Sequence, residues 1–490
     1  MPYLSYPSGA VIPVFLISEI MNHAPSVGLV MSYDLVNGFL VTLFLSLTVF
    51  FFLRRLQLRA NHAFLFALIP ILLELFLPEP FYYFQNSFFT DQAVILPFVL
   101  VVFLEVVREG RRGRFRSIVD LLQALVFFYG TFTDWFFVFI AFIFYLDRLF
   151  FGEIRFRPRK DFFKDSLKFA TPPLAAIFVF LIQVTAMMWG DLENAAEWIK
   201  HKYVVRSGLN GSTSELGAGS GGYLHHIARW AKEGYGLFGL AVIAITVLFS
   251  IGIYFFVNWR KRQKRAVAPA IQSIARLSFI ITVPCILQIL AFLNHSAVHS
   301  FSVLKLSVPF ATVPFVLIPV SLVMAVRSKK EAGSFKYMFT AIIGAFILAG
   351  FSIAQASPEY DHFFNPKNTF WYHVADVTNK HTVADDVVFS PDMEVPYHPP
   401  QPVSLTMKKV YRVKTVSDVA QEIQNAHGSY RVVIIFWNKP GKGSYWGKAV
   451  SAADSTLDDG AFYCYYSAAA IKKLESEYNG GPSLGTGAQA

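Results

Sequence analysis

Charge is what this chain has least of. Only 16% of its 490 residues are Asp, Glu, Lys or Arg, where a soluble globular domain carries about 25%. Cysteine is nearly missing as well. Cys285 sits inside an apolar run and Cys464 far downstream, which excludes a disulfide framework, and no Cys/His spacing resembles a zinc site. No basic stretch followed by a short apolar core opens the chain, so these first residues are not expected to act as a secretory signal peptide. What is present is apolar. Hydrophobic residues make up 54% and aromatic residues 17%, with 51 Phe and 22 Tyr, and mean hydropathy is +0.45. That composition excludes intrinsic disorder, and the apolar runs are too long for soluble core helices. A polytopic α-helical membrane protein is the fold class that remains.

A crossing needs about 20 apolar residues. Ten segments qualify: 29–53, 60–78, 92–107, 117–131, 134–151, 167–189, 235–257, 271–293, 303–326 and 337–355. The loops between them alternate in charge. Clusters around Arg54, Arg108–Arg116, Arg148–Lys168, Arg260–Arg265 and Arg327–Lys336 hold 24 basic residues, and the opposite loops up to residue 355 hold five. The positive-inside rule makes the first side cytoplasmic. The net charge of +10 is thereby an orientation signal beside anionic lipid, and no nucleic acid partner is implied. The same alternation places residue 1 outside. Such a placement calls for a transmembrane helix ahead of residue 1 or for a tail carried across by the first crossing, and the first is the better reading.

Polar side chains crowd the outer loops. Asp91 follows an aromatic run, Glu79 to Thr90, and abuts a crossing, where a partly buried carboxylate is functional or paired; the alternative is a solvated acid in an aromatic belt. Glu79 reads as a loop-end charge. Asp134, in Thr133-Asp134-Trp135, reads either as a helix cap in a tight turn or as a site acid. Glu74, Glu105 and Asp120 are candidates for buried pairs. In the third loop His295 and His299 are four apart, with Lys305 just inside the next crossing. His, Ser and Lys there suit a phosphate. Two His on one helical face also leave a divalent metal open, without a third ligand nearby.

The longest outer loop, 190–234, has a Gly/Ser stretch, 208–222, between two amphipathic flanks anchored by Trp198 and Trp230. It reads as a mobile lid or as a plain connector. Asn210-Gly211-Ser212 fits a glycosylation sequon, a pattern common by chance. From residue 356 the composition changes. Strands are expected over 383–390, 408–413 and 430–437, with a helix over 415–427. They predict a C-terminal extracytoplasmic α/β domain, 356–490, that caps the membrane domain, 1–355, or recognises a partner, and ends in a flexible tail, 480–490. Residues 1–28 are expected as outer juxtamembrane segments.

This layout resembles the integral-membrane GT-C glycosyltransferases, in particular the protein mannosyltransferases and lipid A aminoarabinose transferases. Tyr6-Pro7-Ser8-Gly9 resembles the Tyr/His-Pro-Pro segment that opens the family's juxtamembrane helices. Asp91 is similar to the second acidic position, and Thr133-Asp134-Trp135 stands where relatives carry a short polar motif. His295, His299, Lys305 and Pro309 resemble the late outer loop that approaches the carrier phosphate. The family's first helix and first-loop acid have no counterpart, in keeping with the helix expected before residue 1. The resemblance implies a GT-C-like bundle in the plasma membrane. It implies transfer of a sugar from a polyprenyl-phosphate carrier to a lipid, glycan or protein acceptor at the outer face. Asp91 and Asp134 would be catalytic. His295, His299 and Lys305 would bind the carrier phosphate, and Tyr6, Trp198 and Arg229 would belong to the acceptor side or lid. A transporter or flippase, or an inactive relative with a binding role, are the alternatives. The crowding of polar residues at one interface favours surface chemistry over transport. The orientation is testable by alkaline phosphatase fusions: one after residue 356 is expected to be active and one after residue 263 inactive, and the reverse pattern would overturn it.

Overall fold

The chain divides into two compact units, Met1–Phe363 and Phe364–Ala490. The structure is a computed structural model that describes residues 8–22, 27–86, 90–109, 113–151, 159–187, 192–208, 222–265, 267–327, 334–360, 380–383, 386–390, 410–412, 419, 431–436, 439–441, 444–458, 462–467, 469–471 and 473. The described part of the first unit is helical. Its helices are α1 (Ile12–Ile20), α2 (Val27–Arg55), α3 (Ala60–Phe76), α4 (Pro78–Asn86), α5 (Thr90–Ala93), α6 (Ile95–Arg108), α7 (Gly113–Thr131) and α8 (Phe136–Phe151). They continue as α9 (Arg159–Met187), α10 (Leu192–Ser207), α11 (Tyr223–Arg262), α12 (Pro269–Ala291), α13 (Leu293–Val298), α14 (Ser307–Thr312), α15 (Ile318–Arg327) and α16 (Ser334–Ala356).

Helices stand at all ten expected positions, but they are unequal. Among the described residues six stretches are long and apolar enough to cross a membrane alone, within α2, α9, α11, α12, residues 300–326 and α16, and a seventh if α3 and α4 count as one bent crossing. By contrast α6 has 14 residues and α8 has 16, about 21 and 24 Å at 1.5 Å per residue, against a hydrocarbon core of about 30 Å. Local sequence sets the breaks. Pro78 holds Leu77 extended (φ −91°, ψ 140°), and α4 turns 71° away from α3. Gly236 interrupts α11 at φ +75°; a β-carbon there would meet the Gln355 carbonyl oxygen at 2.9 Å, so only glycine serves. The break falls next to residue 235, where the apolar crossing was expected to begin. Pro309, Pro314 and Pro319 divide the 300–327 crossing into 3-10, α, π and α pieces.

Lipid tails are as apolar as Leu, so burial of hydrocarbon does not by itself hold these helices together. At the end of the bundle that carries the basic clusters, ion pairs do. Arg276 of α12 donates to Asp147 of α8 at 2.6 and 3.1 Å and also pairs with Glu109 at the end of α6, which Arg55 of α2 reaches in turn. Glu105, buried on α6, accepts from Arg148 of α8 at 3.0 Å and from Gln123 of α7 at 3.0 Å. Arg108 Nε donates to Asp120 of α7 at 2.5 Å. Five helices are thereby tied together. Arg55, Arg108, Arg116 and Arg148, read above as orientation signals, are paired with carboxylates here. Glu105 and Asp120 are buried or half-buried pair members, while Glu74 lies apart from this network, beside Ser307.

The second unit contains a five-stranded sheet of order β2-β1-β3-β5-β4. Its strands are β1 (Val387–Ser390), β2 (Val410–Arg412), β3 (Val432–Phe436), β4 (Ser455–Asp458) and β5 (Phe462–Tyr466). β2, β1 and β3 are parallel, and β5 pairs antiparallel with both β3 and β4. β3 is buried at all five positions, as a central strand covered on both faces must be. The first three strands stand where they were expected. The helix expected over 415–427 lies outside the described residues except for buried Val419. The β4–β5 pair was not anticipated, although Asp459-Gly460 between them is a turn signal.

Replacing Arg276 by Met leaves Asp147 and Glu109 without their shared cation. Breaking a buried pair from one side costs about 3–5 kcal/mol, so thermal unfolding in detergent should show a loss of that order. A loss under about 1 kcal/mol, the worth of an exposed pair, would show that the network does not hold the bundle.

Candidate active site

The opposite end of the bundle is built around one polar turn. α12 stops at Phe292 (φ −117°, ψ 53°), α13 follows, His299 is extended, and residues 300–306 form a 3-10 turn. Three other segments hold this turn. Asn294 Nδ2 donates to the Val205 carbonyl of α10 at 2.7 Å, Trp230 Nε1 of α11 to the Ala297 carbonyl at 2.8 Å, and Tyr83 of α4 shares a 2.7 Å hydrogen bond with Ser300. The rings of His295 and His299 lie 4.5 Å apart, and His299 stacks on Phe301 at 4.8 Å. Burial, with His299, Arg206 and Lys305 nearby, holds His295 well below the usual histidine range. It is therefore a neutral hydrogen-bonding group at pH 7. Among the described residues no group of three or more His, Cys, Asp or Glu gathers that could hold a metal ion.

Asp134 and Lys305 are brought together. Lys305 is 0% exposed; its Nζ lies 3.9 Å from Asp134 Oδ1 and 5.1 Å from the Phe136 ring centre. The same carboxylate oxygen accepts from the Phe136 N–H at 2.6 Å and so opens α8. Gly9 anchors the turn before it, donating to the Phe132 carbonyl at 2.8 Å and accepting from Tyr129 at 3.2 Å. In this geometry Asp134 caps a helix and lies beside a buried lysine, and both side chains are closed off from solvent.

The other expected residues are described only in part. Asp91 is in α5, which packs against the 300–306 turn, while its side chain lies outside the described residues. Tyr6 lies outside them altogether, as does the Asn210 sequon, and of Trp198 only its place in α10 is described. Arg229 is exposed on α11 and donates to Glu233 at 2.8 Å. Glu79 corrects the reading of a loop-end charge: it is fully buried. Its Oε2 would come within 2.8 Å of a β-carbon at Gly234, and neither of its oxygens has a hydrogen-bond partner among the described residues. The flanking Pro78 and Pro80 were the signal for a helix start there.

Beside the turn lies a cavity of about 280 Å³. Its walls are Trp135, Val138 and Phe139 of α8 and its approach, Ile177 and Phe180 of α9, Ile199 and Tyr203 of α10, and Phe292; Lys202 and Arg206 of α10 supply the cations. Trp135 meets Phe180 edge-on at 5.0 Å, and Phe139 meets Phe292 at 6.0 Å. Periodicity could not have found this space, because its walls come from three helices and a turn. An aromatic cavity with cations on one side suits an amphipathic anion.

The Asp134–Lys305 pair makes a sharp test. Lys305→Met alone strands a buried carboxylate and should cost about 3–5 kcal/mol, whereas Asp134→Asn with Lys305→Met should recover most of that loss in thermal unfolding. A double variant as unstable as the single one would show that the two charges do not act as a pair.

No protein-family model matches the chain, and no curated protein matches it by sequence. Solved structures resemble it, among them two membrane transferases. The oligosaccharyltransferase of Archaeoglobus fulgidus, tethered through a disulfide to an acceptor peptide with an NVT sequon, superposes with a TM-score of 0.46 at 10% identity. It covers 83% of this chain, and this chain spans 56% of that longer protein. ArnT from Cupriavidus metallidurans, bound to undecaprenyl phosphate, superposes with a TM-score of 0.51 at 10% identity over 96% of this chain and 89% of that one. At such identity the likeness concerns the fold alone, and the chain has the fold of the integral-membrane GT-C glycosyltransferases.

Proposed function

We propose that the protein transfers a sugar from a polyprenyl-phosphate carrier to an acceptor at the extracytoplasmic face of the plasma membrane. The observation that carries this reading is the aromatic cavity with Lys202 and Arg206 on one side, set against the His295–His299 turn at the end of the bundle away from the basic clusters. A prenyl chain fills an aromatic cavity and a phosphate needs donors beside it. Lys202 and Arg206 take the phosphate charge, and the neutral His295 together with His299 hydrogen-bonds its oxygens. The alternating loop charges put this end outside.

Lipid-linked sugar has a good leaving group already at the membrane surface. The acceptor hydroxyl attacks the anomeric carbon, the bond from that carbon to the phosphate oxygen breaks, and the electron pair leaves with the phosphate, where cations stabilise it. A carboxylate takes the hydroxyl proton. We assign that role to Asp91, because α5 packs on the 300–306 turn that follows His299; Asp134 is occupied by Lys305 and the start of α8.

The test is turnover of undecaprenyl-phosphate sugars by the purified protein in nanodiscs, read as release of undecaprenyl phosphate. Asp91→Asn is expected to lower kcat about 100-fold or more, the usual contribution of a general base. Arg206→Ala should raise KM with a smaller change in kcat. Equal turnover by Asp91→Asn would remove Asp91 from the mechanism, and an unchanged KM in Arg206→Ala would remove the cavity.

A further inference from the structure

Three buried polar side chains lie on and beside the first half of α2. Asp34 and Asn37 are three apart, hence on one face of α2, inside an otherwise apolar crossing. Each is 2% exposed. Gln92, on α5 and 1% exposed, lies beside Asp34. Asp34 Oδ1, both polar atoms of the Asn37 amide and both of the Gln92 amide have no hydrogen-bond partner among the described residues. Buried amides and carboxyls are nearly always bonded, and a set of five unpaired atoms in one place is unusual. A membrane interior makes it more so, since lipid supplies no partner.

The chemistry of the set is specific. A carboxyl accepts, and each amide both donates and accepts. That combination matches neighbouring hydroxyl groups, each of which gives one hydrogen bond and takes another. An apolar chain would leave every atom unpaired. The location agrees. Gln92 follows Asp91 directly in α5, and α5 packs on the 300–306 turn, beside the phosphate groups assigned above. An aromatic face is adjacent too, for Phe84 lies on Gly38, the residue after Asn37, closely enough that a β-carbon there would come within 2.6 Å.

We infer that Asp34, Asn37 and Gln92 form the subsite that recognises the hydroxyl groups of the transferred sugar, an assignment that rests on the proposed transferase reading. The sugar enters between Gln92 of α5 and the Asp34–Asn37 face of α2. When it does, the polar atoms gain their missing partners. Sugar selectivity resides at this place, separate from the cavity that holds the prenyl phosphate.

Binding separates the two assignments. Affinities of the full chain in nanodiscs are measured for undecaprenyl phosphate and for undecaprenyl phosphate carrying glucose, mannose or galactose. The wild type is expected to bind at least one sugar-bearing lipid tenfold or more tightly than the bare lipid. Asn37→Leu and Gln92→Met should lose that surplus, stay within twofold of wild type for the bare lipid, and melt at the same or a higher temperature, because each removes an unpaired buried amide. A residue kept for structure would lower the melting temperature instead. Variants that keep the surplus, a wild type that shows none, or variants that lose bare and sugar-bearing lipid alike would overturn the subsite. Failure of the wild type to bind the bare lipid would overturn the cavity assignment on which it rests.

Discussion

A bilayer offers a buried polar group no partner of its own, and that constraint organises this molecule. Backbone groups are satisfied within helices. Most charged side chains must then find either one another or an end of the bundle. At the basic end they find one another: Glu105, Glu109, Asp120 and Asp147 meet Arg55, Arg108, Arg148 and Arg276 in a closed network over five helices. At the other end charges and rings are arranged with space between them. One end is spent on cohesion, and the other is left for chemistry.

The two ends differ in how their segments are made. The network joins continuous helices, with α6 and α8 short among them. The opposite end is assembled from interrupted ones, with breaks at Leu77, Gly236, Phe292 and His299. Each break turns a short segment across the bundle mouth, and these segments support the His turn through Tyr83, Trp230 and Asn294. Irregular backbone at membrane depth is stable where protein buries it or where it lines a cavity. The 280 Å³ cavity beside Phe292 is such a place.

Several features of the site were open to inspection in the sequence and others were not. The spacing of His295 and His299 predicts one helical face; α13 ends at Val298 and His299 is extended, and their rings meet all the same. Asp134 offered two readings, cap or acid, and the 2.6 Å bond to the Phe136 N–H fits the cap; nothing local said that Lys305, more than 170 residues later, would supply its counter-charge. Glu79 reads as a loop-end acid in the sequence, yet Gly234 of a distant helix covers it. Lys202 and Arg206 stood in a flank without distinguishing pattern, since a cavity wall shared among three helices leaves no period in any one of them.

The amino-acid sequence determined that the chain lives in a membrane, roughly where it crosses, and which loops share a side, because hydropathy and charge act over neighbouring residues and need no partner to be read. It also determined the first three strands of the α/β unit through their own apolar pattern. Tertiary structure alone decided which arginine meets which carboxylate, which acids are buried, and where an aromatic cavity forms. Those outcomes depend on side chains a hundred or more residues apart arriving at one place, and in a low-dielectric interior the partner that arrives decides whether a charge is a clasp, a cap or a site.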